Sequence, residues 1–217
     1  MIKIISFDLD GTLVKTTYAD KVWLEGVPKL FSKEKKVSLD KAKKYIFAEY
    51  EKIGKNRVEW YDIDWWFNKF ELRENWQNIL NKYRSFVEPY SETLETIKKL
   101  SKKFDLIIIS NAKKEFIDIQ LEETMLKPYF KHVFSSFSDF NKVKKYSDVY
   151  KEIISFLMIK PHEIIHIGDS KEFDYDSPKK IGIKSFYLDR NKIRNNNYII
   201  NSLSDIERLI NQKKDIF

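Results

Sequence analysis

Apolar and polar positions follow two rhythms along this chain. Short, continuous apolar runs at Lys3–Phe7, Asp105–Ile109, His132–Phe134, Glu163–Ile167 and Lys184–Leu188 predict strands covered on both faces. Between the first two runs, residues 15 to about 86 carry no strand signal and read as helix. There Ser38 is an N-cap candidate, Ala42, Ile46 and Ile53 follow at helical spacing, and Gly54 is a stop. A second helical pattern runs from about Asp64 to Phe86 through Trp65, Phe70, Leu72, Trp76, Ile79, Leu80 and Tyr83. From Pro89 onward helices alternate with strands: Pro89 or Ser91 to about Lys102, Lys113–Leu126, Ser147–Met158, Asp176–Ile181 and Leu203–Gln212. Asp189–Asn197 is a polar, Asn-rich loop to which no function is assigned. This alternation predicts an α/β fold with a doubly wound, mostly parallel sheet. Residues 1–14 and 87–217 form its core, and 15–86 an all-helical insertion.

Three of the predicted strands end in polar residues: Asp8 and Asp10 after the first, Ser110-Asn111 after the second, Gly168-Asp169 after the fourth. In a parallel sheet these ends share one edge, where ligands bind. Paired carboxylates repel one another and invite a hard divalent cation with oxygen ligands. Gly11 permits a sharp backbone departure there. Ser110-Asn111 reads either as a helix-capping pair or as a hydroxyl and backbone N–H that hold phosphoryl oxygens. His166, inside a strand, reads as a satisfied core histidine, and His132 and His162 show no metal-ligand spacing. The aromatic stretch Trp60–Phe67 either packs the helical insertion or walls a substrate pocket.

Composition narrows the class. The 217 residues are 42% hydrophobic and 34% charged, which suits a compact globular protein. There is no apolar stretch of membrane-spanning length and no signal-peptide pattern, so a cytoplasmic protein without a membrane partner is expected. The absence of cysteine excludes disulfides and thiol chemistry. The formal charge of +7 is spread over runs such as Lys41–Lys44 and Lys98–Lys103, which read as solvated helix faces. No nucleic-acid partner is expected.

The string Phe7-Asp-Leu-Asp-Gly-Thr-Leu13, followed in order by Ser110-Asn111, a lysine and Gly168-Asp169, resembles the haloacid dehalogenase superfamily, in its phosphatase type with a helical cap, similar to the phosphoglycolate phosphatases. The resemblance implies a Rossmann-like core and an enzyme that hydrolyses a small phosphorylated substrate through an aspartyl-phosphate. It implies Asp8 as nucleophile, Asp10 as general acid and base, and Ser110 and Asn111 as phosphate ligands. It implies a catalytic lysine six residues before an aromatic. Lys144 stands six before Tyr150, with Lys145 where proline is usual, so Lys144 is taken and Lys145 stays open. Mg²⁺ is the implied cofactor, held by Asp8, Asp169 and the Asp10 backbone carbonyl, with Asp174 supporting it or its waters. Dehalogenases usually lack the second aspartate, so Asp10 argues against that chemistry. A phosphomutase or phosphotransferase, or a non-catalytic binding protein on the same fold, is the alternative. The particular phosphomonoester and the oligomeric state are not legible.

Overall fold

Why the chain builds a parallel sheet is visible in the alternation along its first strand. In β1 (Ile4–Phe7), Ile5 and Phe7 point to one face and Ile4 and Ser6 to the other. Both faces are covered, so the strand has no solvent-facing side and reads as unbroken apolar sequence. A computed structural model describes residues 1–206 and 209, apart from 145 and 192–197. Its sheet has six strands in the order β3-β2-β1-β4-β5-β6, every pair parallel. The others are β2 (Asp105–Ser110), β3 (His132–Ser135), β4 (Ile164–Gly168), β5 (Lys184–Leu188) and β6 (Ile199–Ile200). The chain lays β2 and β3 on one side of β1, then crosses to lay β4 to β6 on the other. That reversal opens a crevice beyond the carboxyl ends of β1 and β4, where such sheets bind ligands. Phe7 is in register with Ile108 of β2 and Ile167 of β4, so Asp8, Ser110 and Asp169 all emerge at that edge.

Helices cover both faces. On one, α6 (Thr93–Leu100) and α7 (Lys114–Glu123) bring Ile97, Leu100, Ile117 and Leu121 against Ile5, Phe7 and Ile108. On the other, α9 (Asp148–Phe156) brings Val149, Tyr150 and Ile153 against Ile4, Ile107 and Ile164.

Residues 17–86 contain helices only. A continuous helical run is made of α1 (Thr17–Asp20), a π-helical turn (Lys21–Gly26) and α2 (Val27–Lys35). It is followed by α3 (Leu39–Ile53), α4 (Ile63–Lys69) and α5 (Trp76–Tyr83). Ser38 caps α3 by accepting from the Lys41 N–H, and Gly54 ends it at φ +71°. Their inward faces, with Tyr18, Val22, Ile46, Trp66, Phe70 and Leu80, form a core of their own that meets the sheet unit through Phe116. No helix among the described residues is long and apolar enough to cross a membrane.

The structure corrects several boundaries. The helical pattern expected from about Asp64 to Phe86 resolves into two helices, α4 and α5, separated by Phe70–Asn75. Glu71 takes a left-handed conformation, and the Asn75 side chain opens α5 by accepting from the Gln77 N–H. Phe70 is buried within the break, so the apolar spacing runs on through it and hides it. The segment expected as helix Asp176–Ile181 starts as a π-helical turn at Lys171 and ends in α10 (Ser177–Lys179). A short α8 (Ser136–Phe140) and strand β6 have no counterpart in the sequence reading. Half of the closing helix expected over Leu203–Gln212 lies outside the described residues, as do most of the Asp189–Asn197 loop and Lys145.

Candidate active site

The backbone after β1 is tied down before any side chain acts. The Asp8 N–H donates to the Ile167 carbonyl of β4 at 2.9 Å, extending the ladder one residue beyond the strand. The chain then turns within Leu9–Val14, where the Gly11 and Leu13 N–H groups donate to Val14 and Leu9 carbonyls. Leu9 and Leu13 are fully buried and anchor this loop. Thr12 Oγ1 accepts from the Asp169 N–H at 3.1 Å, which fastens the loop to the end of β4. Gly11, at φ +78°, lies against the Asp169 carboxylate: a Cβ there would sit 2.2 Å from Asp169 Oδ2. Gly11→Ala is therefore expected to displace Asp169 and lower kcat/KM about 100-fold, because roughly ångström misplacements carry that scale of cost. Comparing kcat/KM of the two proteins across a Mg²⁺ titration checks it; an unchanged curve would refute the contact.

Lys144 is the hub. It sits in irregular chain between α8 and α9, yet it is almost completely buried. Its backbone is clamped at both ends, the N–H donating to Asn111 Oδ1 at 2.9 Å and the carbonyl accepting from Ser177 Oγ at 2.6 Å. Its ammonium has three protons and three acceptors: Asp8 Oδ1 at 2.5 Å, Asp174 Oδ1 at 2.7 Å and the Ile109 carbonyl at 2.9 Å. Burial alone would lower its pKa, but the Asp174 and Asp8 carboxylates outweigh burial and hold it above the ordinary lysine value.

One ammonium shared by two carboxylates leaves a deficit of positive charge. Asp174 is pulled down to about 2: burial opposes ionisation, but Lys144 and His166 overcome it. Asp8 is pushed up to about 8 by burial, with Lys144 too committed to cancel it and Asp174 and Asp169 adding repulsion. Asp169 rises to about 7, through burial and then Asp174. Carboxylate oxygens of Asp8, Asp169 and Asp174 lie within 4.8 Å of one another. Among them Asp174 is already engaged, with Oδ1 on Lys144 and Oδ2 accepting from the Ser170 N–H at 3.0 Å. Gly168 admits it, since a Cβ there would lie 2.3 Å from Asp174 Cγ. Crowded carboxylates, two of them with raised pKa values, are an oxygen-only donor set that a small, hard divalent cation satisfies.

Ser110 Oγ accepts from the Ala112 N–H and lines the cavity. Asn111 does more scaffolding than the sequence suggests. Its Oδ1 takes the Lys144 N–H and the Ser136 hydroxyl, and its Nδ2 donates to the Tyr61 hydroxyl at 3.3 Å. Asp10 faces the same cavity, its carboxyl pushed up to about 7 by burial and by Asp8, against an opposing pull from the Gln120 amide.

The cavity above these groups holds about 350 Å³, with Trp23, Tyr50, Trp60, Tyr61, Phe116 and Phe173 among its walls. The aromatic stretch thus divides. Trp60 and Tyr61 face the cavity, while Ile63, Trp66 and Phe67 are buried in the core of the helical segment. Lys113 of the sheet unit pairs with Asp62 and Asp64 beside that wall.

Three features escaped the sequence. His166 is a satisfied core histidine, as expected, but it is wired to the site: Nδ1 meets Ser6 Oγ at 2.8 Å, and Nε2 meets Tyr150 Oη at 3.0 Å and Asp174 Oδ1 at 3.1 Å. Thr12 and Gln120 touch or flank the aspartates. For Thr12 the signal was present in the Gly-Thr step after the paired aspartates, whereas nothing local marks Gln120.

Residues 5–188 match the model of a family described as haloacid dehalogenase-like hydrolase. A glyceraldehyde 3-phosphate phosphatase of Pyrococcus furiosus is 27% identical over 199 residues, covering 86% of this chain and 80% of the relative. One of Methanocaldococcus jannaschii is 23% identical, covering 99% of this chain and 100% of the relative. The crystal structure of a HAD phosphatase from Thermococcus onnurineus superposes with a TM-score of 0.85 at 25% identity, over 96% of this chain and 98% of that one.

Proposed function

The chain belongs to the haloacid dehalogenase-like hydrolase family, and on that premise we propose that it hydrolyses a small phosphomonoester with Asp8 as nucleophile. The observation that carries this reading is the buried Lys144 ammonium, bonded to Asp8 and Asp174 at the edge where Asp10, Ser110 and Asp169 also converge. In the first step an Asp8 oxygen forms a bond to phosphorus as the bond from phosphorus to the leaving oxygen breaks. The leaving oxygen keeps the electron pair and takes the proton that Asp10 holds at neutral pH. In the second step Asp10, now ionised, takes a proton from the water that opens the aspartyl-phosphate. Lys144 and the Ser110-Asn111 segment offset charge on the phosphoryl oxygens. Asp8 and Asp169, with the Asp10 carbonyl, would hold Mg²⁺, and Asp174 would stand behind them. The bound cation would supply charge neutralisation, keeping Asp8 ionised beside a phosphate dianion.

In this reading residues 15–86 are a cap over the site and the remainder is the catalytic core. Trp60 and Tyr61 then form the part of the cap that meets the leaving group. The relatives' names and the modest cavity favour a short phosphorylated metabolite, with glyceraldehyde 3-phosphate the first compound to try. Those relatives are phosphatases, which favours water over a second hydroxyl as acceptor.

Phosphate release across a panel of phosphorylated metabolites, with Mg²⁺ and with EDTA, tests the proposal. Release is expected with Mg²⁺ and loss of at least about 100-fold in EDTA, the scale of a removed charge-stabilising group. No release from any compound above an Asp8→Asn control would end it.

A further inference from the structure

Buried polar groups are almost always hydrogen-bonded, and the exceptions mark places where a protein tolerates a cost for a purpose. Among the described residues, the buried side-chain polar atoms without a partner are Asp10 Oδ1, Tyr18 Oη and both ends of the Gln120 amide. Two of these residues, Tyr18 and Gln120, flank Phe116, which lines the cavity that Asp10 also faces. Gln120 stands one helical turn after Phe116 on the same face of α7. Tyr18, in α1 at the entry to the helical segment, packs on Phe116 with ring centroids 5.8 Å apart. Asp10 and Phe116 line the same cavity. Proximity also shows in the charges: the Gln120 amide draws down the Asp10 pKa, and the Asp10 charge adds to burial in raising that of Tyr18. Gln120 and Tyr18 are themselves fully buried. An unbonded amide in such a position is destabilising, and an apolar residue of the same shape would avoid that.

We propose that Gln120 and Tyr18 are positioning residues for Asp10, holding its carboxyl where it delivers a proton to the leaving oxygen. An amide suits this task in both halves of the reaction. Its NH₂ donates to one Asp10 oxygen while the proton on the other faces the leaving group, and the same donor steadies the carboxylate once that proton has gone. The Tyr18 hydroxyl does the same from the side of the helical segment. Placement by two different structural units ties the Asp10 geometry to closure of that segment over the substrate. The inference rests on the phosphatase reading and adds to it two residues that touch neither substrate nor phosphate.

The test uses the dependence on leaving group. The quantity kcat/KM reports steps up to cleavage of the phosphorus–oxygen bond. An alkoxide cannot depart without a proton, whereas p-nitrophenolate is stable as an anion and needs none. For Gln120→Leu, kcat/KM on an alkyl phosphate is expected to fall at least about tenfold, a fraction of what general acid catalysis contributes. On p-nitrophenyl phosphate it should fall far less, and Tm should hold or rise. Tyr18→Phe, which deletes a single oxygen, should show the same selectivity and serves if Gln120→Leu fails to fold. An equal fall on both substrates, or none on either, would overturn the assignment. Wild type inert on both substrates, and no better than Asp8→Asn, would instead condemn the phosphatase reading itself.

Discussion

Asp8→Asn should lower phosphate release by at least about 10³-fold and leave a folded protein whose stability no longer falls as steeply with pH. An amide keeps the shape of the carboxyl and can still accept from Lys144, but it cannot attack phosphorus. The stability part follows from the sign of the shift. Asp8 has a folded pKa of about 8 against an ordinary value of 3.8, because burial opposes its charge. The folded state therefore binds more protons than the unfolded one in that window. The resulting stability is complete below the unfolded value and is lost as pH rises through the folded one. Asp10 and Asp169, both raised to about 7, act in the same direction. In EDTA the wild-type Tm should thus decline between about pH 4 and pH 8. Mg²⁺ should restore it, because a cation held as proposed would bind the ionised cluster and not the unfolded chain. Asp8→Asn should flatten the decline and weaken the Mg²⁺ effect. Thermal melts over pH, with and without the cation, check all of this; a wild-type Tm that rises through the window would contradict it.

What was legible in the sequence divides along physical lines. Strands covered on both faces announce themselves, so β1, β2, β4 and β5 fall within a residue or so of expectation. Their polar ends announce the site as well, since a parallel sheet carries such residues to one edge. The break at Phe70–Asn75 was hidden because buried Phe70 and half-buried Leu72 carry the apolar spacing of a helix across an otherwise exposed turn. Gln120 was hidden for a related reason. It stands among Phe116, Ile117 and Leu121, and one polar residue on an apolar helix face looks the same whether it caps, bonds or lies idle. The place of His166 inside a strand marks it as a satisfied core residue, but its bond to Asp174 joins residues of two elements, and no spacing rule carries that information. In the sequence only the family resemblance singles out Lys144. The contacts that show why it matters, to Asp8, Asp174 and Ile109, span up to 136 positions in sequence.

Lys144→Met should be the most destabilising single change at the site. A buried charged network is costly to break by halves: removing one partner leaves the others desolvated and unpaired, typically about 3–5 kcal/mol. Here the change leaves Asp8 without its donor, leaves Asp174 with only Ser170 and His166, and orphans the Ile109 carbonyl. For a chain of this size that corresponds to a Tm lower by about 6–20 °C. The loss should deepen as pH rises, because two buried carboxylates without a cation resist ionisation while the unfolded chain does not. Activity should fall at least about 100-fold, the scale of a lost charge-stabilising group. Lys144→Met with Asp174→Asn in the same chain removes one of the orphaned charges, and should recover a large part of the Tm while leaving the enzyme inactive. Melts of both variants at acid and neutral pH, read beside phosphate release, separate the two roles. A single variant with wild-type Tm at neutral pH would show that the ammonium does not hold the two carboxylates together.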